Sequence, residues 1–360
     1  MSTSSPTILI TGASGMLGRA LHRLLIQETS QTYNVIGIGF SRLTVNHYHE
    51  HFGGASKTVE LLQLNLLDVD ATTEFIERHR PDIIVHCAAQ RFPDAFESNI
   101  EESIQLNVDS TRHLAKLCRE STSPSRPDYK PLLIYISTSY VFDGGIESKV
   151  YPPYMPESKA NPINSYGKSK YDGERAIREV MNDATNNVSE GRGIIVRVPL
   201  LYGEDCVKLD EAPALEMLKV LLPSSSTTGT KKKIDDWALR FPTSCEDVAR
   251  VLKLMIDHAF VDNQFAGTYH VASPHGITKF GLLQLQSRLL NISKDEVDDR
   301  AEGVDDPKAA NPSAAPRPQC TQLNCDDTWA ALGKTFEFAP LEEAMGRATQ
   351  GFPKRFLDGT

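Results

Sequence analysis

The sequence has few features of a secreted or membrane protein. Its six cysteines form no Cys-x-x-Cys pair and no zinc-like spacing with histidine, which indicates free thiols in a reducing compartment. No apolar run approaches the roughly 20 residues that a membrane-spanning helix needs. Residues 1–6 are polar, unlike a signal peptide. We therefore expect a cytoplasmic protein that makes no use of a membrane.

Positive charge is also scarce. Lysine and arginine number 38 against 47 aspartates and glutamates, which gives a net charge of -9. The basic residues are scattered apart from 231–233, so we expect no nucleic-acid partner. Histidines recur at His47, His49 and His51 without a framework of carboxylates or cysteines, and we predict no metal site there.

The chain does have, near its start, a short apolar run followed by three evenly spaced glycines. Residues 7–11 read T-I-L-I-T and are typical of a buried strand, and Gly12, Gly15 and Gly18 lead into an amphipathic stretch. In a dinucleotide-binding turn the first glycine allows the tight turn, the second lets the backbone approach the pyrophosphate, and the third lets the helix pack closely. An ordinary turn between strand and helix is the alternative.

The second apolar run, 34–39, lacks the acidic residue at its end that would bind the ribose hydroxyls of NAD. Phe40, Ser41 and Arg42 follow instead. An arginine and a hydroxyl suit the additional 2′-phosphate of NADP, so NADP is the expected cofactor. A solvated loop arginine is the alternative for Arg42.

Strands and helices alternate along the first half of the chain. Further strands are predicted at 60–64, 82–86, 131–137 and 193–198, and long helices at 97–119, 165–181, 245–257 and 280–290. Repeated βα units of about 30 residues specify a parallel sheet with helices on both faces. We therefore predict an α/β fold, a Rossmann-type doubly wound sheet with a smaller α+β substrate-binding lobe.

The predicted domains follow from where this alternation weakens. The NADP-binding domain is expected at 1–203, with 237–263 returning to it, the small lobe at 204–236 and 264–345, and a tail at 346–360. Residues 223–233 have no apolar face and are expected to form a mobile loop. The Pro/Ser-rich loop 121–130 is expected to be an insertion between a helix and a strand. The acidic, then Ala/Pro-rich stretch 295–318 is expected to be a surface excursion.

Candidate proton-transfer residues lie at the end of the fifth strand and on the helix after it. Tyr166 and Lys170 are four residues apart and therefore share a helix face. An adjacent ammonium lowers the pKa of a phenol, which can then exchange a proton with a carbonyl or an alcohol. A hydroxyl at Thr138 or Ser137 could polarise the same oxygen. A surface pair of Tyr and Lys is the alternative.

Several motifs resemble a known superfamily. The glycine trio, the strand end I-S-T-S-Y-V-F-D-G and the helix start N-S-Y-G-K-S-K-Y-D-G-E are similar to extended short-chain dehydrogenases/reductases of the dTDP-4-dehydrorhamnose reductase branch. Within that branch, I-V-H-C-A-A, Q-L-N-V, R-F-P-T and R-P-Q-C-T-Q-L-N-C resemble the family of regulatory beta subunits of methionine adenosyltransferase. These segments extend from about residue 7 to residue 325.

The resemblance implies a set of cofactor contacts. The residues expected to bind NADP are Gly12, Ser14, Gly15, Met16, Leu17, Gly18, Phe40, Ser41, Arg42, Leu67, Asp68, Ala88, Ala89, Asn107, Tyr166, Lys170, Pro199 and Leu200. Among them Asp68 would meet the adenine, and Arg42 the 2′-phosphate. The catalytic roles of a reductase would fall on Thr138, Tyr166 and Lys170.

The chain departs from the reductases in the sugar-binding motifs. Ser139 stands where they carry Asp, and Cys320 and Gln322 stand where they carry Asn and Arg, so donors for a nucleotide-sugar are missing. The resemblance therefore implies a non-catalytic regulatory subunit that binds a catalytic methionine adenosyltransferase subunit and supports S-adenosylmethionine synthesis. An NADPH-dependent sugar-nucleotide reductase, or a reductase or epimerase of another small carbonyl, is the alternative. The aromatic and cationic segment 352–357 is a candidate partner anchor, and a frayed tail is its other interpretation.

Overall fold

The computed structural model describes residues 5–27, 33–40, 61–121, 129–182, 191–206, 208–222, 231–350 and 352. The chain forms two compact units. Unit 1 comprises Met1–Thr138, Ser165–Arg197 and Ala249–Tyr269, and unit 2 comprises Ser139–Asn164, Val198–Val248 and His270–Thr360. These units are groups of contacting residues, and the limits of the functional domains stay a prediction.

The strands and helices have the following bounds. The strands are β1 (Thr7–Thr11), β2 (Asn34–Gly39), β3 (Leu61–Gln63), β4 (Ile83–His86), β5 (Leu132–Thr138), β6 (Arg192–Val198), β7 (Leu201–Tyr202), β8 (Lys232–Asp235), β9 (Thr243–Ser244), β10 (Gly267–His270) and β11 (Ala301–Val304). The helices are α1 (Met16–Gln27), α2 (Val69–His79), α3 (Pro93–Ser98), α4 (Ile100–Ile104), α5 (Ser110–Glu120), α6 (Ser165–Met181), α7 (Cys245–Val261), α8 (Lys279–Leu289), α9 (Lys294–Arg300), α10 (Pro307–Ala310), α11 (Asp326–Leu332) and α12 (Leu341–Thr349).

Seven of the strands form one sheet in the order β10-β6-β5-β4-β1-β2-β3. The four pairs from β3 to β5 are parallel, and Ile8 of β1 lies between Val35 and Ile83. The chain order reverses between β1 and β4, in the middle of the sheet. The carboxyl ends of these two strands are therefore the switch point at which doubly wound proteins bind their ligands. The predicted fold class is confirmed.

The apolar runs form strands because both faces of the sheet are covered by helices. Leu9, Ile84 and Leu133 lie at neighbouring positions of adjacent strands and are almost completely buried, and they pack with Ile177 of α6. Parallel strands of this kind read as continuous apolar runs rather than as alternating ones. This is why the sequence located β1, β2, β4, β5 and β6 to within about two residues.

Two local predictions are corrected, one for a helix and one for the end of a loop. The expected helix 97–119 is interrupted at Asn99, and a π-helical turn at Gln105–Asp109 separates α4 from α5. Residues 223–230 of the expected mobile loop lie outside the described residues, but Lys232 and Lys233 at its end belong to β8, which pairs in parallel with β11.

The stretch 295–318 is mostly exposed or half-buried, as a surface excursion would be, and it contains regular structure that its polar composition concealed.

Candidate functional site

The glycine turn after β1 has the geometry that the sequence predicts. Gly12 has a φ of +66°, and a Cβ built on it would lie 2.7 Å from the backbone nitrogen of Ala88. A Cβ on Gly18 would lie 2.3 Å from the Gly12 carbonyl oxygen. Gly15 is more open, because the Gly12 oxygen at 3.3 Å is the one neighbour its Cβ would meet within 4 Å. The turn therefore packs against the start of α1 and against the segment that follows β4, and it stays accessible at Gly15.

The start of α1 offers donors beside this turn. Met16 and Leu17 are its first two residues, where backbone N–H groups have no acceptor within a helix. Arg19, one turn further along, donates to the Ser14 carbonyl oxygen. An anion is stabilised at such a terminus by the free N–H groups and by the helix dipole.

The proposed adenine end is described only in part. Ser41 and Arg42 lie outside the described residues, and Phe40 before them is half exposed, at 52%. The carboxylate of Asp68 caps α2 by accepting from the Ala71 N–H at 3.0 Å. Leu67 donates its N–H to the Asn65 side chain at 3.1 Å. Asp68 thus has a structural role that the sequence did not reveal.

Asn107 lies in the π-helical turn and is completely buried. Its side-chain oxygen accepts from the Gln90 N–H at 2.8 Å, and its side-chain nitrogen donates to the Gln90 carbonyl and to the Ser169 hydroxyl, both at 3.0 Å. Asn107 therefore holds the segment that follows Ala88 and Ala89 and ties it to α6.

Lys170 is a buried residue and not half of a surface pair. It is 2% exposed, and its Nζ lies 4.0 Å from the centroid of the Tyr135 ring. Burial lowers the pKa of Lys170 to about 7, although the charge of Glu174 opposes the shift. Tyr166 is half-buried one turn earlier on the same helix. These residues and Thr138, at the end of β5, all belong to unit 1.

The structure distinguishes the two candidate hydroxyls at the end of β5. The Ser137 hydroxyl donates to Glu174 at 2.6 Å, inside the protein. Thr138 follows at the last position of the strand and is 6% exposed. Of the two, Thr138 is the better candidate to polarise a substrate oxygen.

Glu174 is a central residue that sequence reasoning missed. Arg197 donates to its two carboxylate oxygens at 2.8 and 2.7 Å, and Arg178 donates to one of them at 3.0 Å. Burial alone would raise the pKa of Glu174, but the hydrogen bonds and charge of Arg197 outweigh it and lower the pKa. This cluster, with Ser137, fixes α6 to β5 and β6 and so positions Tyr166 and Lys170.

In unit 2, Ser139, at which the resemblance implies an aspartate in the reductases, is paired with the segment 317–323. Ser139 is 2% exposed, and its hydroxyl accepts from the Thr321 hydroxyl at 3.0 Å. Gln322, at which the resemblance implies an arginine in the reductases, uses its backbone carbonyl to accept from the Tyr154 N–H at 2.8 Å. Two hydroxyls therefore occupy a buried position at which a carboxylate would need cationic or N–H partners.

The loop after Ser139 is built around Asp143. Its carboxylate accepts from the backbone N–H groups of Gly145, Glu147 and Ser148, from the Ser148 hydroxyl and from the Asn161 amide. The loop packs against the 317–320 segment, because a Cβ on Gly144, which has a φ of +77°, would lie 3.0 Å from the Gln319 nitrogen.

Unit 2 also contains a cluster of cations that the sequence did not indicate. Arg240 is 3% exposed, donates to the Pro318 carbonyl at 3.0 Å and lies 3.6 Å from an Asp235 oxygen. Burial lowers the pKa of Lys279, and the charges of Arg240 and Arg317 lower it further while Tyr140 opposes them. Two carboxylates, Asp235 and Glu216, act on these three cations, and the remaining positive charge suits an anion.

The described residues contain neither a metal-binding cluster nor a membrane-spanning helix. In the part of the chain that the structure describes, no three His, Cys, Asp or Glu side chains come together as a metal site requires, and His47, His49 and His51 lie outside it. No described helix is long and apolar enough to cross a membrane. Pro199 and Leu200 follow β6 and belong to unit 2.

Comparison with known sequences gives the class of protein. The family model for the RmlD substrate binding domain matches residues 6–350, and the chain belongs to this family. Its sequence is also similar to methionine adenosyltransferase 2 subunit beta, as the motifs predict. The Pongo abelii protein is 34% identical over 88% of this chain and 80% of its own length, and the Danio rerio protein is 33% identical over 94% and 88%. The dTDP-4-keto-6-deoxy-D-glucose reductase of Streptomyces niveus is 28% identical over 96% of both chains.

Solved structures agree on the fold. A dTDP-4-dehydrorhamnose reductase from Clostridium acetobutylicum superposes with a TM-score of 0.67 at 21% identity, covering 95% of this chain and 98% of that one. The reductase from Bacillus anthracis, solved in complex with NADP, also gives 0.67 at 21% identity, covering 97% and 99%. At this identity the likeness establishes the architecture alone.

Proposed function

We propose that the chain is an NADP-binding, non-catalytic regulatory subunit that associates with a catalytic methionine adenosyltransferase subunit in the cytoplasm and supports S-adenosylmethionine synthesis. The observation that carries the proposal is the 34% identity to methionine adenosyltransferase 2 subunit beta over 88% of the chain. The reductase of Streptomyces niveus is less similar, at 28% identity.

The pairing of Ser139 with Thr321 supports a role without sugar reduction. The two hydroxyls bond to each other at 3.0 Å, so neither the reductase carboxylate nor its charge is present at this position. Cys320 and Gln322 supply no cation in place of the reductase residues. A sugar nucleotide would therefore lose several polar contacts here, and unpaired polar groups weaken binding strongly.

The residues of unit 1 fit a dinucleotide. A Cβ would fill the turn at Gly12 and Gly18, Gly15 is open, and the first N–H groups of α1 are suited to the pyrophosphate. Lys170 supplies a buried amine, and Ala88 and Ala89 are small enough to lie beside a flat ring. In an enzyme NADPH would supply a hydride, whereas in the proposed subunit the dinucleotide is a bound ligand.

The cofactor preference depends on Arg42, which sequence reasoning assigns to the 2′-phosphate. The purified chain should bind NADP at least about tenfold more tightly than NAD, equivalent to about 1.4 kcal/mol. Arg42→Ala should remove this preference and leave the fold intact, because a charge at a loop end, where the sequence pattern puts Arg42, contributes little to stability. Isothermal titration calorimetry with NADP and with NAD measures the preference in both proteins. Equal affinities of the wild-type chain would contradict the assignment.

The partner is tested with the full-length chain and the methionine adenosyltransferase of the same organism. We expect the two to elute together in size-exclusion chromatography, and we expect no oxidation of NADPH when a dTDP-4-keto sugar is added. Failure to associate would refute the regulatory proposal.

The C-terminal tail is the proposed anchor on that partner. Phe352 and Phe356 flank two cations, and aromatic residues and arginine are the side chains that most often carry interface energy. The helix before the tail is held in unit 2, since Met345 is buried and Arg347 donates to Glu204 at 2.6 Å.

Deleting residues 351–360 should weaken association with the catalytic subunit at least about tenfold, equivalent to about 1.4 kcal/mol, and leave NADP affinity unchanged. Surface plasmon resonance measures the first quantity and calorimetry the second. The matched control deletes 358–360, which removes three residues but neither aromatic side chain, and should bind almost as well as the full chain. An unaltered affinity of the longer deletion would exclude the tail as anchor.

A sugar-nucleotide reductase of the dTDP-4-dehydrorhamnose type is the second candidate. It is favoured by the buried Lys170, whose pKa of about 7 suits proton transfer, and by the Arg240, Lys279 and Arg317 cluster, which suits a phosphate. In that role Thr138 would polarise the carbonyl and Tyr166 would donate the proton. Stoichiometric NADPH oxidation in the assay with the keto sugar would favour this candidate.

A further inference from the structure

A line of buried hydrogen bonds runs below the switch point of the sheet in unit 1. Thr11, His86 and Thr111 are all completely buried. The Thr11 hydroxyl accepts from the Ala88 N–H at 3.3 Å and lies 2.7 Å from Nδ1 of His86. Nε2 of His86 lies 3.0 Å from the Thr111 hydroxyl, which donates to the Asn107 carbonyl at 2.9 Å.

The chemistry of these groups fixes the direction of each hydrogen bond. The one hydroxyl proton of Thr111 goes to the Asn107 carbonyl, so Thr111 must accept from Nε2–H of His86. Nδ1 then carries no proton and accepts from the Thr11 hydroxyl. Burial, together with the charge of Lys170, lowers the pKa of His86 to about 3, so the ring is neutral and has one donor and one acceptor. Both are used.

The line continues to the helix that carries the candidate catalytic residues. The side chain of Asn107 donates to the Ser169 hydroxyl at 3.0 Å, and Ser169 donates to the Tyr166 carbonyl at 2.8 Å. At its other end, Ala88 lies against Gly12, where a Cβ would come within 2.7 Å. The glycine turn and the first turn of α6 are therefore joined through His86.

We propose that His86 is a positioning residue of the dinucleotide site, which sets the distance between the glycine turn and the Tyr166 turn of α6. The inference rests on the proposed binding of NADP, whose pyrophosphate would lie at the glycine turn and whose nicotinamide end would lie at the Tyr166 turn. A ligand that contacts both turns binds well only if the distance between them is fixed, whereas a ligand that contacts one of them does not depend on that distance. If His86 has this positioning role, its replacement weakens the ligand that contacts both turns more than the ligand that contacts one. A purely structural role would weaken the binding of both ligands equally.

The experiment compares NADP with adenosine 2′,5′-bisphosphate, which represents the adenine half alone, by calorimetry on the full chain. His86→Phe keeps an aromatic ring, although a larger one, and removes both hydrogen bonds. Thr111→Val removes the next hydroxyl at almost constant volume and decides the question if the first variant does not fold. We expect each to weaken NADP at least about tenfold and the bisphosphate less than about threefold.

Tyr129→Phe is the matched control, because it removes a buried hydrogen bond to the Pro81 carbonyl, 2.8 Å long, at the opposite end of β4. It should lower the melting temperature and leave both affinities unchanged. Equal weakening of both ligands, or no weakening of NADP, in His86→Phe and Thr111→Val would overturn the proposal. A wild-type chain that binds no NADP would instead refute the proposed cofactor.

Discussion

Replacing Glu174 by alanine is expected to lower the free energy of unfolding by about 3 to 5 kcal/mol. The substitution leaves Arg197, which is 2% exposed, as a buried charge without its carboxylate. It also removes the acceptor of the Ser137 hydroxyl. Breaking one side of a buried ion pair costs this much because the remaining ion keeps its desolvation penalty. Denaturant unfolding followed by circular dichroism measures the change.

The next glutamate along the same helix, which lies on its exposed side, provides the control. Glu179 pairs with Arg112 at 2.9 Å, but its side chain is 50% exposed. Pairs in solvent contribute about 0 to 1 kcal/mol, so Glu179→Ala should have little effect on stability. Similar losses for the two variants would mean that the Glu174 cluster is not the element that fixes α6 to the sheet.

Replacing Asp143 by asparagine is expected to lower the free energy of unfolding by about 2 to 4 kcal/mol at pH 7. Each carboxylate oxygen accepts from at least two donors, with Gly145 N–H and the Ser148 hydroxyl on one and the N–H groups of Glu147 and Ser148 on the other. An amide NH2 in either place would face donors and leave them unsatisfied. Glu147→Gln, an exposed carboxylate in the same loop, is the control and should be almost neutral.

The effect of Asp143 should depend on pH in a defined direction. Burial alone would raise its pKa, but the hydrogen bonds from Ser148, Asn161 and Gly145 outweigh it and hold the pKa below the usual value. A depressed folded-state pKa gives stability that is present above the unfolded pKa, about 4, and is lost as the pH falls below it. The difference between wild type and Asp143→Asn should therefore shrink below pH 4. A constant difference would contradict the assignment.

The sequence located the parts of the site that depend on local chemistry. Gly12 and Gly18 were assigned from spacing, and a turn between strand and helix leaves them few other conformations. Glu174 could not be found in this way. It lies four residues after Lys170 and four before Arg178, which is typical of an exposed helix, and its partner Arg197 is on a strand 23 residues further along.

Non-local contacts explain the other omissions. His86 ends an apolar strand and resembles any core histidine until Thr11 and Thr111 are brought to either side of it. Strand β8 contains two lysines and becomes regular only because β11, almost 70 residues later, pairs with it. Neither partner can be inferred from periodicity, since the signal of a single strand says nothing about its neighbours.

The π-helical turn at Gln105–Asp109 means that the site also depends on the length of the chain. The N–H of Ser110 bonds to the carbonyl of Gln105, five residues back, so the turn holds one residue more than an α-helical turn. Loss of one residue here would allow a continuous regular helix, which is locally the easier structure. It would also rotate the preceding segment by about 100° and carry Asn107 away from Gln90 or Ser169. The contacts of Asn107 therefore depend on the number of residues in this turn as well as on the asparagine itself.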